Sequence, residues 1–171
     1  PLPAGGSCLL GAINLAEFVK SGYFDFDEFT RAVHIAVRAL NDVLDEGVNK
    51  HPLQEQRESV RDWRQIGLGI MGLADMLIKC GVKYGSEKSI ELCDDIGFVM
   101  ATTAISASGS IAEVDGAYPK FDERVWDSHF YRAHCGFVEH VLRNSQLLTI
   151  APTGTISTML GVSGGIEPIF A

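Results

Sequence analysis

No stretch of the 171-residue sequence approaches the 18 or more consecutive apolar residues needed to span a bilayer, so no membrane partner is expected. Basic residues are in deficit: 14 Lys and Arg stand against 22 Asp and Glu, for a formal charge of −8. A field of that sign repels extended polyanions unless cations cluster locally, and long nucleic acid is therefore not an expected partner. Cysteine is sparse and scattered. Cys8, Cys80, Cys93 and Cys135 form no C-x-x-C pair, which argues against a zinc site or a disulfide framework and fits a reducing cytoplasm. The 5 histidines form no H-E-x-x-H pattern, and no metal site is expected. The N-terminus has neither a basic segment ahead of its apolar residues nor an initiating Met, so no signal peptide is expected and the chain is expected to begin within a longer protein. Internal repeats, low-complexity tracts and linkers are also missing, which leaves one continuous unit.

What is present is a succession of amphipathic segments. Ser7 to Ile13 is short and apolar after Gly5-Gly6 and predicts a buried strand near 7–13, with Asn14 to Lys20 beginning a helix. Phe26, Phe29, Val33, Val37, Leu40 and Leu44 recur at helical spacing after the capping pair Asp25 and Glu28, predicting a helix near 26–46 that Gly47 can end. A second helix is predicted near 59–80 from Trp63, Ile66, Ile70, Leu73 and Leu77, with Gly81 at the left-handed cap position. A third is predicted near 86–115, rich in small residues, and a fourth near 122–142. Leu147 to Ile150 predicts a second buried strand near 147–150, followed by a short helix near 155–162. The chain thus reads as a single partial domain, 1–171, mostly helical with two short buried strands.

Two motifs invite a functional reading. Gly67-Leu68-Gly69-Ile70-Met71-Gly72 is a literal G-x-G-x-x-G, but the charged SVRDWRQI before it is no buried strand and no acidic strand end follows at the right distance. Glycines in a helix cost about 1 kcal/mol each relative to alanine, so these are read as admitting another backbone. The second motif, Pro152, Thr153, Gly154, Thr155, Ile156 and Ser157, follows an apolar strand at a helix start. There unpaired N–H groups and about half a positive charge can hold a phosphate without Lys or Arg. An ordinary turn in which Thr and Ser cap the helix's own donors fits the same residues equally well. Cys8 by itself reads as a small core residue on a strand, and the other three cysteines read as packing.

Taken together, GGSCLLGAINL, WRQIGLGIMGLADML and LLTIAPTGTISTMLGVSGGIEPIFA, in this order and spacing, resemble the catalytic large subunit of ribonucleotide reductase. The resemblance covers essentially the whole chain. It implies an α/β fold, a ten-stranded barrel of two five-stranded halves, and a thiyl-radical enzyme that reduces ribonucleotides to 2′-deoxyribonucleotides. Under it Cys8 matches one of two redox cysteines, and its partner and the radical cysteine lie outside this chain. The family's Asn-x-Cys-x-Glu motif would fall just before Pro1. Pro152 to Ser157 match the loop that grips the substrate phosphates, and Ser7 is a candidate substrate contact.

The resemblance also implies a ribonucleoside di- or triphosphate as substrate, a thioredoxin- or glutaredoxin-type reductant, and a homodimer of the full-length chain. The PTGTIS form points to adenosylcobalamin as cofactor, the alternative being a metal-radical small subunit. Leu9, where an Asn often follows the redox cysteine, and Gly154, where some members carry an acid, depart from the commonest pattern. The isolated chain is not expected to turn over. Two competing readings are a noncatalytic helical scaffold and a different phosphate-substrate enzyme built on the same turn.

Overall fold

The computed structural model describes residues 2, 5–7 and 9–169. In chain order its elements are β1 (Leu9–Asn14), β2 (Val19–Lys20), β3 (Tyr23–Phe24), α1 (Phe26–Gly47), α2 (Gln54–Trp63), β4 (Ile66–Met71), α3 (Leu73–Lys79), α4 (Glu87–Asp115), α5 (His129–Cys135) and α6 (Gly154–Leu160). β1 and β4 pair in parallel, from Leu9 opposite Ile66 to Asn14 opposite Met71. A third extended segment lies parallel on the far edge of β4. Ile66 N–H donates to the Gln146 carbonyl at 3.0 Å, Leu68 N–H to Leu147 at 2.8 Å, and Thr149 N–H to Leu68 at 3.1 Å.

Side chains alternate across a strand, so Leu9, Gly11, Ile13, Ile66, Leu68 and Ile70 share one face. That face is covered by helices: Gly11 meets Leu40 of α1, and Phe29, Val33, Val37 and Leu44 bury the α1 stripe against Ile66, Leu68 and the α4 residues Ile96, Met100, Ala104 and Ala107. Parallel strands covered by helices are the building unit of an α/β barrel. Asp25 caps α1 by accepting the Glu28 N–H at 2.9 Å, and Ser86 caps α4 through the Ser89 N–H at 3.3 Å. Gly81 and Gly116, both at positive φ, close the C-terminal ends of α3 and α4.

The structure corrects three expectations. The helix expected over 59–80 is α2, then β4, then α3. Arg64 adopts a left-handed conformation (φ 46°, ψ 48°) that stops α2 after Trp63, and the six residues IGLGIM run extended and almost wholly buried. Its glycines therefore lie in a strand, although one of them does admit a backbone: a Cβ on Gly69 would sit 2.5 Å from the Thr149 carbonyl oxygen. The helix expected over 122–142 is a 3-10 turn at Glu123–Asp127 followed by α5, because Ser128 restarts the helix by capping the Tyr131 N–H and Gly136 at φ 59° ends it. The segment from Asn14 to Lys20 makes one 3-10 turn and then enters a β2–β3 hairpin, whose Ser21-Gly22 turn has both residues at positive φ as a type I′ turn requires.

Candidate functional site

The carboxyl ends of the parallel strands are where an open α/β sheet offers a ligand the N-termini of its helices. The extended segment through Thr149 delivers Pro152 and Thr153 to that end. Thr153 lies in the left-handed region (φ 54°, ψ 21°), a cost of roughly 1 kcal/mol for a non-glycine residue. A hydrogen bond holds it there: its Oγ1 accepts the Gly165 N–H at 2.8 Å.

That bond turns the Thr153 hydroxyl away from the helix it precedes. Ser157 Oγ and Thr158 Oγ1 instead donate to the Gly154 carbonyl, at 3.3 and 2.7 Å. Among the described residues no acceptor meets the N–H groups of Gly154, Thr155 or Ile156, the first turn of α6. Of the alternatives left open by the sequence, the self-capped turn is the one whose hydrogen bonds are not formed.

Sequence reasoning overlooked the support for this loop. Gly161, at φ 68°, ends α6 and turns the chain so that Ser163, Gly164 and Gly165 lie between the loop and the start of α3. Gly72 N–H donates to the Ser163 carbonyl at 2.8 Å, and Ala74 N–H to the Ser163 Oγ at 3.1 Å. Ser163 N–H in turn donates to Asp75 Oδ2 at 2.7 Å. A Cβ on Gly164 would sit 2.8 Å from the Pro152 carbonyl oxygen. No local signal pointed to this support, because the start of α3 at Leu73 fell inside the helix expected over 59–80 and Gly72 has no side chain to cap it.

The other candidates lie elsewhere. Ser7 lines a different cavity, of about 320 Å³, with Leu9, Leu44, His51 and Gln65 at the amino end of β1. Cys8 lies outside the described residues. Cys80, Cys93 and Cys135 are all unpaired thiols, half-buried, and desolvation pushes each above the ordinary thiol range, which suits packing rather than nucleophilic chemistry. Among the described residues no helix is long and apolar enough to cross a membrane.

The family profile of the ribonucleotide reductase barrel domain matches residues 3–171. The chain belongs to that family. The vitamin B12-dependent ribonucleoside-diphosphate reductase of Mycobacterium tuberculosis (strain CDC 1551 / Oshkosh) is 41% identical over 171 residues, which are 100% of this chain and 23% of that protein. The enzyme of the same name from Thermoplasma acidophilum is 40% identical over 172 residues, 100% of this chain and 21% of its own length. A ribonucleoside-diphosphate reductase subunit alpha from Chlamydia pneumoniae is 30% identical, covering 95% of this chain and 18% of that subunit. The chain thus spans less than a quarter of the curated relatives it matches. β1, β4 and the segment at Gln146–Thr149 are neighbouring parallel strands of that domain, with α1 and α4 packed against them.

Proposed function

We propose that this chain is the part of a ribonucleoside-diphosphate reductase that grips the substrate's phosphates on Pro152–Ser157 and supplies Cys8 as one of two reducing thiols. The observation that carries the first half is the trio of N–H groups at Gly154, Thr155 and Ile156 without an acceptor among the described residues, at the carboxyl end of a parallel strand. Such a helix start favours an anion by its unpaired donors and its dipole. The names of the relatives supply the anion's identity, a ribonucleoside diphosphate.

In the reaction proposed for the full-length protein, the ribose C2′ hydroxyl leaves as water and C2′ gains a hydrogen. The two electrons come from two thiols, Cys8 and a cysteine outside this chain, which end as one disulfide. A thioredoxin- or glutaredoxin-type dithiol in a reducing cytoplasm regenerates them, and the full-length chain works as a homodimer. What falls to the residues of this chain is to hold the diphosphate and offer one thiol. The vitamin B12 in the names of two relatives extends to this protein as adenosylcobalamin, which supplies the initiating radical. Among the described residues no group of three His, Cys, Asp or Glu converges as metal ligands.

Thr155→Asp in the full-length protein tests the phosphate grip. An acid in the first turn stabilises a simple helix start by about 0.3–1 kcal/mol. In an anion site it occupies the donors and repels the diphosphate, and KM for the ribonucleoside diphosphate rises at least about tenfold, roughly 1.4 kcal/mol. An unchanged KM in a folded variant would defeat the assignment.

A further inference from the structure

We propose that Ser163 and Asp75 are positioning residues for the phosphate grip, forming a variant of the capping box in trans that fixes where the loop at Pro152–Ser157 sits. The inference rests on the phosphate reading above and extends it to residues to which no role is otherwise assigned.

A capping box joins a helix's N-terminal residue to a side chain three positions later, each accepting the other's N–H. Here the two halves come from parts of the chain 88 residues apart. The hydroxyl that caps α3 belongs to Ser163, which accepts the Ala74 N–H at 3.1 Å, one residue short of the box's usual position, and the acid of the next residue, Asp75, accepts the Ser163 N–H at 2.7 Å. A third bond, from Gly72 N–H to the Ser163 carbonyl at 2.8 Å, closes the lock. Gly72 cannot cap by itself because it has no side chain, and a Cβ there would collide with the Asn14 side chain at the end of β1.

The lock reaches the loop through two adjacent residues. Gly164 packs so closely on the Pro152 carbonyl that no Cβ fits between them, and the Gly165 N–H holds Thr153 Oγ1 at 2.8 Å. Thr153 is the residue whose left-handed conformation aims the first turn of α6. Position is therefore passed from a rigid element, α3 after β4, through Ser163 to Gly165 and then to Thr153. A loop strained at a non-glycine residue keeps that geometry only while its surroundings over-determine it. Releasing Ser163 lets the three donors drift without altering any group at the ribose.

The test is steady-state kinetics of the full-length protein with a ribonucleoside diphosphate, and pyrophosphate as competitive inhibitor. Ser163→Ala and Asp75→Ala should each raise KM and the pyrophosphate inhibition constant about fivefold or more while kcat stays within twofold. Ser163→Thr and Asp75→Asn, which keep an acceptor, should restore both constants to within twofold. The double alanine variant should be no worse than the weaker single, because one lock is broken either way. Alanine variants that leave both constants unchanged, or that lose kcat and KM together without rescue by Thr or Asn, overturn the proposal. Should Ser163→Ala fail to fold, Asp75→Ala and Asp75→Asn carry the same comparison with the hydroxyl cap intact. Thr155→Asp separates the two claims: if it raises KM and the Ser163 and Asp75 variants do not, only the lock is wrong, and if it leaves KM unchanged the phosphate reading itself fails.

Discussion

Arg64 combines two costs at one position. Its backbone is left-handed, and its side chain is buried with its Nε unpaired among the described residues. Both are offset by tertiary partners: Nη1 and Nη2 donate to the two carboxylate oxygens of Asp45 at 2.6 and 2.9 Å, and the Arg64 carbonyl accepts from the fully buried Asn144 at 2.9 Å. Asn144 also bonds Asn41 and accepts from Ser108, so one residue ties α1, the α2–β4 junction and α4 to the start of the segment at Gln146–Thr149. The Arg64 hydrogen bonds hold the Asp45 carboxyl below the ordinary carboxylate range. A depressed folded pKa means that the stabilisation is present above the unfolded value, near 3.8, and is lost as pH falls through the folded one. Removing one partner of a buried pair costs about 3–5 kcal/mol, but Asp45 is half in solvent, and a discounted value of about 1 kcal/mol is appropriate. Asp45→Asn in the full-length protein should therefore speed amide exchange around Arg64 and Asn144 about fivefold at neutral pH. The gap should close below about pH 4, after correction for intrinsic rates, and a gap independent of pH would contradict the ion-pair account.

Among the elements, α1 and α4 were legible because of their apolar spacing and their end signals, Asp25 and Ser86 at the starts and Gly116 at the close of α4. β4 was not. A strand buried on both faces shows no alternation, and Ile66, Ile70, Leu73 and Leu77 fall by chance at helical spacing across a strand, a turn and a helix. The stop between α2 and β4 is an arginine held in a conformation usually left to glycine, by an acid 19 residues away, and no local pattern encodes that. The loop at Pro152–Ser157 was legible as a strand, turn and helix start, while its support was hidden because the cap of α3 comes from beyond α6. Gly69 marks the tightest approach to another segment's backbone among these elements. Gly69→Ala would place its Cβ 2.5 Å from a backbone oxygen that cannot rotate away, so the segment at Gln146–Thr149 must shift off β4. Overpacking of this kind costs about 1–3 kcal/mol. The expected result in the full-length protein is exchange of the amides of Leu68 and Thr149 about thirtyfold faster, the equivalent of roughly 2 kcal/mol, together with a raised nucleotide KM. Exchange like that of the parent would show that the strands have room to spare.

At the scale of the whole molecule, the sheet has two open sides. Among the described residues β1 pairs only with β4, and the segment at Gln146–Thr149 pairs only with the other edge of β4. Beside it an apolar cavity of about 380 Å³, lined by Leu68, Ile96, Met100, Leu148, Ile150 and Ile166, opens to solvent. Ile150, Met159 and Leu160 are mostly exposed, at 62, 75 and 53%. Unpaired strand edges next to exposed apolar surface are templates for association. The charge of −8 opposes this, but its reach is only about 8 Å at physiological ionic strength, whereas apolar burial contributes about 25 cal/mol per Å² at any salt. The short-ranged attraction should win once salt is present. The 171-residue chain expressed alone should therefore scatter light as a dimer or larger, and its mean mass should grow as salt is raised from 20 to about 500 mM, where the Debye length falls to a few ångströms. A monodisperse monomer across that range would mean that the chain covers its own edges, and that this stretch of barrel is more self-sufficient than its open staves imply.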